Sequence, residues 1–170
     1  MRVFLTGFMG SGKTTVGRLL SDRLELPFVD LDREIELRAG MSVREIFEAG
    51  GEALFRRLEQ EALAAAVARP EAVIATGGGT VTVEPNLRLL EQGDAVSVWL
   101  DPPFSVISQR IGALGKEDRP LFQTEAQALD LYRRRLPAYR RSAIRMAVEA
   151  GEQPEEVAAR IALLLEGGGG

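Results

Sequence analysis

The chain has 170 residues, of which 45% are hydrophobic and 27% charged, proportions typical of one globular domain. It contains no Cys and no His, which excludes disulfides and thiolate metal sites and leaves acid–base chemistry near neutral pH to a carboxylate, a lysine or water. The net charge of −4 argues against a protein that binds nucleic acid through charge. No apolar run is long enough for a membrane span, and a strand-like start leaves no room for a signal peptide. We therefore expect a cytoplasmic protein with no membrane partner.

The run at residues 7–14 reads Gly-Phe-Met-Gly-Ser-Gly-Lys-Thr and fits G-x-x-x-x-G-K-S/T, a loop whose backbone N–H groups surround nucleotide phosphates. Residues 2–6 have the pattern of a buried strand and residues 14–24 that of an amphipathic helix, which is the context this loop needs. Lys13 is expected to contact the β- and γ-phosphates and the Thr14 hydroxyl to bind Mg²⁺. The predicted nucleotide-binding residues of the loop are Gly10, Ser11, Gly12, Lys13, Thr14 and Thr15.

Strand-like and helix-like segments alternate along the rest of the chain, which favours a parallel sheet covered by helices on both faces. The predicted strands are residues 2–6, 27–30, 72–76, 95–100 and 144–148. The predicted helices are residues 14–24, 31–39, 42–49, 52–69, 85–92, 103–111, 125–139 and 154–166. The predicted fold is therefore three-layer α/β with a five-stranded parallel sheet, in a single domain over residues 1–170.

Local signals define several segment ends. Ser42 and Glu45 have the spacing of a capping box, which predicts a helix N-terminus, and the pair at residues 50–51 (Gly-Gly) predicts a break before the next helix. Residues 112–124 are charged and punctuated by glycine, too polar for a core and long enough for a mobile lid. The four glycines at residues 167–170 predict a frayed tail.

Two carboxylates follow the second predicted strand. A phosphate-loop enzyme normally takes a metal-side carboxylate from the end of another strand, and the strand at residues 72–76 runs directly into glycines. Asp30 and Asp32 are the replacements, because carboxyl ends of parallel strands share one edge of the sheet. Their spacing in an extended segment points both side chains the same way, so that one can hold Mg²⁺ through water while the other faces the acceptor. The alternative is that Asp32 only caps the helix that begins at Arg33.

Three consecutive glycines, Gly77, Gly78 and Gly79, end the third predicted strand. Because they carry no side chains, a small ligand can lie directly against their backbone amides. The alternative is a flexible turn.

The arginines are harder to separate. Arg56 and Arg57 are adjacent on a helix, so only one can face a site. Residues 133–135 are three arginines just before a proline, and each taken alone is more typical of a solvated surface position. Arg119 lies in the predicted lid, where an arginine can neutralise charge on a transferring phosphoryl group. Arg110, near the end of its helix, fits either stacking on a nucleobase or a surface position.

Together these elements resemble the shikimate kinase family over nearly the whole chain. The phosphate loop alone is shared by a large superfamily, whereas the arginine and triple-glycine elements in this arrangement are far more specific. The residues that carry the resemblance, in the family's order and approximate spacing, are 7–14, 30–32, 55–57 with Glu59, 77–79, 119–121 and 135–139.

The resemblance implies a nucleoside-monophosphate-kinase-like fold with a substrate-binding helical segment at residues 31–60 and a lid at residues 112–124. It implies transfer of the γ-phosphoryl group of ATP to the 3-hydroxyl of shikimate, on the route to chorismate and the aromatic amino acids. Shikimate and ATP are then the small-molecule partners, Mg²⁺ is the cofactor, and there is no nucleic-acid partner.

By matching position, the resemblance implies that Asp32 is the candidate base, with Lys13 and Arg119 as the other catalytic residues. Thr14 and Asp30 are implied on the metal side. The implied substrate-binding residues are Asp32, Arg56, Gly77, Gly78, Gly79, Arg135, Phe47 and Phe55. The nucleotide-binding set gains Arg110, Arg119 and Gln153.

One stretch departs from the family pattern. Members often have arginine or asparagine near the position of Gln153, in the loop over adenine, and here residues 150–154 read Ala-Gly-Glu-Gln-Pro. Adenine contacts in this loop are therefore expected to come mostly from the backbone.

Two other functions stay open from the residues alone. A gluconate kinase or other small-metabolite kinase of similar fold would share the phosphate loop and lid, but has no reason to carry the triple glycine with both arginine elements. A non-catalytic nucleotide-binding regulator would bind ATP without transfer, although every position expected to be catalytic is intact. A monomer is predicted, because no long apolar helix face is left over after the sheet is covered.

Overall fold

The computed structural model describes residues 1–115 and 118–168. Its strands are β1 Arg2–Thr6, β2 Phe28–Asp30, β3 Ala72–Ala75, β4 Ala95–Asp101 and β5 Ile144–Ala147. They form one parallel sheet in the order β2-β3-β1-β4-β5. The prediction of a five-stranded parallel sheet is confirmed.

Helices on both faces of the sheet connect the strands, and their positions agree with the sequence prediction to within a few residues. They are α1 Lys13–Leu24, α2 Leu31–Ala39, α3 Val43–Val67, α4 Glu84–Leu90, α5 Phe104–Gly112, α6 Glu125–Tyr139 and α7 Pro154–Gly167. None of the helices in the described residues is long and apolar enough to cross a membrane. A 3₁₀ helix at Thr80–Thr82, which the sequence analysis does not predict, follows β3.

The predicted signals at both ends of residues 42–51 are present. Ser42 Oγ accepts a hydrogen bond from Glu45 N at 3.1 Å, and the Glu45 carboxylate accepts one from Ser42 N at 3.4 Å, which completes the capping box. Gly51 has φ 67° and ψ −164°, so α3 bends there. The two predicted helices are therefore two halves of one kinked element.

The sheet separates two hydrophobic clusters, because successive side chains of a strand point to opposite faces. On β1, Phe4 belongs to one cluster and Val3 and Leu5 to the other, and all three are fully buried. Side chains of α1 and α7 cover the Val3 face, and side chains of α2 to α6 cover the Phe4 face. Burying a side chain of this size contributes about 1.5–3 kcal/mol, so both layers stabilise the sheet.

The strand register determines which loops meet. Thr6 pairs with Trp99, and Asp30 pairs with Ala75. The phosphate loop, the segment after β2 and the glycines after β3 therefore leave the same edge of the sheet, where open α/β sheets bind ligands.

Two predicted segments are described only in part. Residues 116–117 of the predicted lid and residues 169–170 of the predicted tail lie outside the described residues. Gly167, assigned to the tail from sequence, is the last residue of α7.

Candidate active site

Two cavities open at this edge. The large cavity, of about 480 Å³, lies between α2, α3, the glycine run, the segment at residues 118–122 and α6. The small cavity, of about 310 Å³, lies between the phosphate loop, α5 and the start of α7. The phosphate loop borders both, with Met9 on the large cavity and Gly10 to Gly12 on the small one.

The loop at residues 7–14 presents hydrogen-bond donors without acceptors. Gly10 and Gly12 have φ of 80° and 98°, the left-handed region that favours glycine. The first intrahelical bond of α1 joins Val16 N to Gly12 O at 2.9 Å, so the amides of its first turn have no partner within the helix. Ser11 Oγ is also buried and has no hydrogen-bond partner among the described residues. Such a helix N-terminus favours a bound anion.

Lys13 lies folded against this loop. Its Nζ donates to the carbonyl oxygens of Gly7 at 2.7 Å and Phe8 at 3.0 Å. Burial lowers the pKa of Lys13 to about 8, although the negative charge of Asp32 opposes the shift. An anion in the loop would favour the charged form of Lys13, so this lysine suits a phosphate neighbour.

Asp30 and Thr14 form an oxygen pair beside the loop. Thr14 Oγ1 donates to Asp30 Oδ2 at 3.2 Å, and Asp30 Oδ1 accepts from Arg33 N at 3.3 Å. Asp30 is thus the N-cap of α2, and the alternative that Asp32 caps this helix is wrong. The assumed extended segment is also wrong, because α2 begins at Leu31 and places Asp32 in its first turn.

Asp32 lines the large cavity and has an unusual acidity. The surrounding protein atoms displace water from its carboxylate, although the side chain remains accessible from the open cavity. This burial, with the negative charge of Asp30 nearby, raises the pKa of Asp32 from 3.8 to about 6, while Lys13 opposes the rise. A carboxylate of this kind is a stronger base than an ordinary aspartate and is still ionised near neutral pH.

A fully buried carboxylate, Glu59, organises one wall of the large cavity. Its Oε1 accepts from Arg56 Nη1 at 2.8 Å, and its Oε2 accepts from Thr80 Oγ1 at 2.9 Å. Arg56 also contacts the exposed Glu52 at 3.4 Å. The sequence analysis assigns Glu59 no role, although its i, i+3 spacing from Arg56 on a helix is a signal that could have paired them.

The glycine run packs directly against the charged side chains of the site. A Cβ atom on Gly77 would lie 3.0 Å from Asp32 Oδ1, and one on Gly78 would lie 3.1 Å from Arg135 Nη1. A Cβ on Gly79 would overlap the Arg56 guanidinium. Each glycine thus makes room for one of these three side chains. This is a reason for glycine at residues 77–79 in addition to the predicted approach of a ligand.

The structure separates the arginines that sequence could not. Arg56 and Arg135 line the large cavity, and Arg135 is buried with its guanidinium 5.6 Å from the Phe8 ring centroid. Arg57 and the two arginines at residues 133–134 are exposed. Two guanidinium groups therefore face one cavity, a geometry suited to an anionic ligand.

Aromatic rings form the apolar boundary of the site. Phe47 and Phe55 both line the large cavity, with ring centroids 5.0 Å apart. Phe8 of the phosphate loop is buried and stacks on Phe122, 5.9 Å away, while Tyr132 of α6 meets it edge-on at 5.6 Å. Phe8 thus joins the loop to the predicted lid and to the helix that carries Arg135.

The small cavity brings together part of the predicted nucleotide set. Thr15 and Arg110 line it, and Arg110 Nη1 donates to Gly10 O at 2.9 Å. Glu152 and Pro154 line its other side. Gln153, between them, is not among the lining residues. It is the N-cap of α7, and its side-chain amide donates to Gly151 O at 3.2 Å.

Arg119, predicted to reach the phosphates, lines neither cavity, although its neighbours at residues 118 and 120–122 line the large one. Its Nε is buried and has no hydrogen-bond partner among the described residues. A buried guanidinium nitrogen without an acceptor is costly, so an anion at this position would be stabilised.

Comparison with known proteins then gives the family. A family model described as shikimate kinase matches residues 9–166. The chain belongs to the shikimate kinase family. A shikimate kinase of Synechococcus elongatus is 42% identical over 162 residues, which cover 94% of this chain and 83% of that protein.

Solved structures of shikimate kinases agree over almost the whole chain. The enzyme of Acinetobacter baumannii, in complex with shikimate, has a TM-score of 0.90 and 36% identity, over 99% of this chain and 94% of that one. The enzyme of Aquifex aeolicus has a TM-score of 0.83 and 40% identity over all of both chains. The fold is therefore that of shikimate kinases, and the gluconate-kinase alternative is not favoured.

Proposed function

We propose that this member of the shikimate kinase family transfers the γ-phosphoryl group of ATP to the 3-hydroxyl of shikimate. The observation that carries the proposal is that Gly78, in the wall of the large cavity, packs against the phosphate loop. A Cβ there would lie 3.1 Å from Arg135 Nη1 in the large cavity and 3.3 Å from Met9 N in the phosphate loop. An acceptor in the large cavity therefore lies beside phosphates in the loop.

The large cavity suits a small ring with one carboxylate and several hydroxyls. Arg56 and Arg135 provide planar guanidinium groups, which bind a carboxylate in a bidentate manner. Phe47 and Phe55 provide an apolar wall for the ring. Gly77 to Gly79 line the cavity with backbone alone, which can approach hydroxyl or carboxylate oxygens closely. The complex of the Acinetobacter baumannii relative with shikimate supports this choice of acceptor.

Asp32 is the group that orients the attacking hydroxyl and accepts its proton. It lines the large cavity, and its pKa of about 6 leaves it ionised near neutral pH yet more basic than an ordinary aspartate. Phosphoryl transfer has a loose transition state, so the proton is needed late and orientation supplies most of the benefit.

Thr14 and Asp30 fit a magnesium site. Their oxygens lie 3.2 Å apart beside the phosphate loop, and the described residues contain no group of three or more acidic, His or Cys side chains that could hold a metal without the nucleotide. Mg²⁺ usually takes one or two protein ligands and completes its shell with water and substrate phosphates. When bound, the ion would neutralise charge on the β- and γ-phosphates.

Two basic residues stabilise the charge of the transferring group. Lys13 would exchange its bonds to the loop carbonyls for bonds to the phosphates, which raises its pKa again. Arg119 Nε, which has no hydrogen-bond partner among the described residues, would reach the phosphates when the predicted lid closes. Closure excludes water, which would otherwise take the phosphoryl group.

The nucleobase is assigned to the outer part of the small cavity. Arg110 and Pro154 line this cavity from opposite elements and provide flat surfaces for a purine ring. Since Gln153 does not line the cavity, the backbone contact from this loop is assigned to Glu152, which does. One domain over residues 1–170, a monomer and a cytoplasmic location remain predictions.

The deciding experiment measures ADP release from Mg-ATP with shikimate, quinate, gluconate, AMP or no acceptor. We expect turnover with shikimate alone, with the phosphate located on the 3-hydroxyl by phosphorus NMR of the product. Preference for another acceptor would overturn the substrate, and ATP binding without turnover on any acceptor would favour the regulator. As a matched pair, Arg56→Lys should raise the KM for shikimate, and Arg57→Lys, one residue away on the exposed side, should not.

A further inference from the structure

Tyr139 contacts the backbone of the glycine run. Its hydroxyl donates to the carbonyl oxygen of Gly78 at 2.6 Å, although α6 and the glycine run are far apart in sequence. The side chain is fully buried, and its ring stacks on Trp99 with centroids 6.0 Å apart. Burial raises the pKa of Tyr139 to about 12, so the hydroxyl keeps its proton and donates throughout the working pH range.

This contact fixes the orientation of one peptide unit in the large cavity. The carbonyl of Gly78 and the amide of Gly79 belong to the same planar trans unit, so they point in opposite directions. With the carbonyl held by Tyr139, the Gly79 N–H lies on the other side of the unit. No acceptor for that N–H is found among the described residues, and Gly79 lines the large cavity.

The same tyrosine lies close to Arg135. Both side chains meet at Gly78, where the Tyr139 hydroxyl donates to the carbonyl oxygen at 2.6 Å. The positive charge of Arg135 opposes the rise in the pKa of Tyr139. Arg135 also packs against Gly78, because a Cβ atom on Gly78 would lie 3.1 Å from Arg135 Nη1. Tyr139, Gly78 and Arg135 therefore form one contact group on the wall shared with the phosphate loop.

We propose that Tyr139 is a positioning residue for the acceptor: its hydroxyl holds the Gly78 carbonyl and so orients the Gly79 amide and Arg135 toward the acceptor's polar groups. The inference rests on the proposed binding of shikimate in the large cavity. Tyr139 itself does not touch the acceptor, because its hydroxyl is occupied by the peptide that does.

The test is Tyr139→Phe, which removes only the hydroxyl and keeps the stack on Trp99. The matched control is Tyr132→Phe on the same helix, whose hydroxyl approaches Asp101 at 3.5 Å and contacts no glycine of the run. We expect kcat/KM for shikimate to fall about tenfold in Tyr139→Phe, since a buried carbonyl loses its donor, while the KM for Mg-ATP stays near the wild-type value. Tyr132→Phe should leave both substrates unaffected.

Two results would overturn the inference. One is a Tyr139→Phe protein with a wild-type KM and kcat for shikimate. The other is an equal loss toward both substrates with a lower melting temperature, which indicates a purely structural role. If the wild-type enzyme itself does not phosphorylate shikimate, the proposed function has failed, and that outcome is distinct from either.

A second measurement avoids dependence on the folding of the variant. The chain has two tyrosines, so Tyr132→Phe leaves Tyr139 as the sole one. With 3-fluorotyrosine incorporated in that background, fluorine NMR reports the Tyr139 environment directly. We expect its resonance to shift when shikimate binds without nucleotide, and an unchanged resonance at saturating shikimate would contradict the inference.

Discussion

Glu59 provides the sharpest test of how the large cavity is held together. Glu59→Gln keeps the size of the side chain and removes its charge. The native carboxylate accepts from Arg56 at 2.8 Å and from Thr80 at 2.9 Å, and it has no exposure to water. A hydrogen bond to a charged group contributes about 1.5–3 kcal/mol, and glutamine retains part of one bond, so we expect a loss of about 2 kcal/mol in the free energy of unfolding. For a chain of this size, that loss lowers the Tm by about 4–8 °C.

The control for this change is Glu52, which contacts the same arginine. Glu52 contacts Arg56 at 3.4 Å but is 55% exposed, and exposed ion pairs contribute at most about 1 kcal/mol. Glu52→Gln should therefore leave both the Tm and the KM for shikimate close to wild type, whereas Glu59→Gln should also raise that KM because Arg56 loses its fixed position. Denaturant unfolding and initial rates measure the two effects. If the two variants had equal effects on the Tm and on the KM for shikimate, the reasoning would be refuted, because the burial of Glu59 would then make no difference to either quantity.

Two further predictions concern the groups next to each cavity. Asp32 must be ionised to accept a proton, so kcat/KM for shikimate should fall as the pH drops through about 6, and a profile of kcat/KM that is flat to well below that pH would exclude Asp32 as the base. Because the pKa of Asp32 is raised from 3.8 to about 6 on folding, the fold loses stability as the pH rises between these two values, and the loss is complete above pH 6. Asp32→Asn should therefore melt higher than wild type at neutral pH while it loses activity. Beside the small cavity, Arg160 Nη2 donates to the Glu152 carboxylate at 2.8 Å and to Ala147 O at 2.7 Å. Arg160→Ala should therefore raise the KM for Mg-ATP and leave the KM for shikimate unchanged. Equal changes in the two KM values would contradict this assignment.

Elements with strong local signals could be read from the sequence. The phosphate loop lies between a buried strand and an amphipathic helix, and the capping box at Ser42 depends on contacts within one turn. The glycine pair at residues 50–51 predicts a break between two helices, and the non-helical backbone of Gly51 confirms the break within α3. The 3₁₀ helix at Thr80–Thr82 was missed because its first residue is fixed by the distant Glu59 carboxylate.

The parts of the site that could not be predicted depend on side-chain directions. Asp30 caps α2, and not Asp32 as the alternative had it, because α2 begins directly after the strand ends. Residue patterns alone leave the adjacent arginines open, and only the family resemblance favours Arg56. In the structure Arg56 contacts the buried Glu59, whereas Arg57 is exposed. Tyr139 gave no signal, because its partner is a backbone carbonyl on another element.

The phosphate-loop motif sets no residue type at position 8. The Phe8 ring nevertheless contacts three other side chains, since Phe122, Tyr132 and the Arg135 guanidinium all lie within 6 Å of its centroid. A smaller side chain there would open a gap beside Phe122, and a larger one would displace Arg135. We therefore expect a substitution at position 8 to be tolerated only together with compensating changes at positions 122 and 132. An apparently variable letter of a short motif can in this way be coupled to residues more than a hundred positions away.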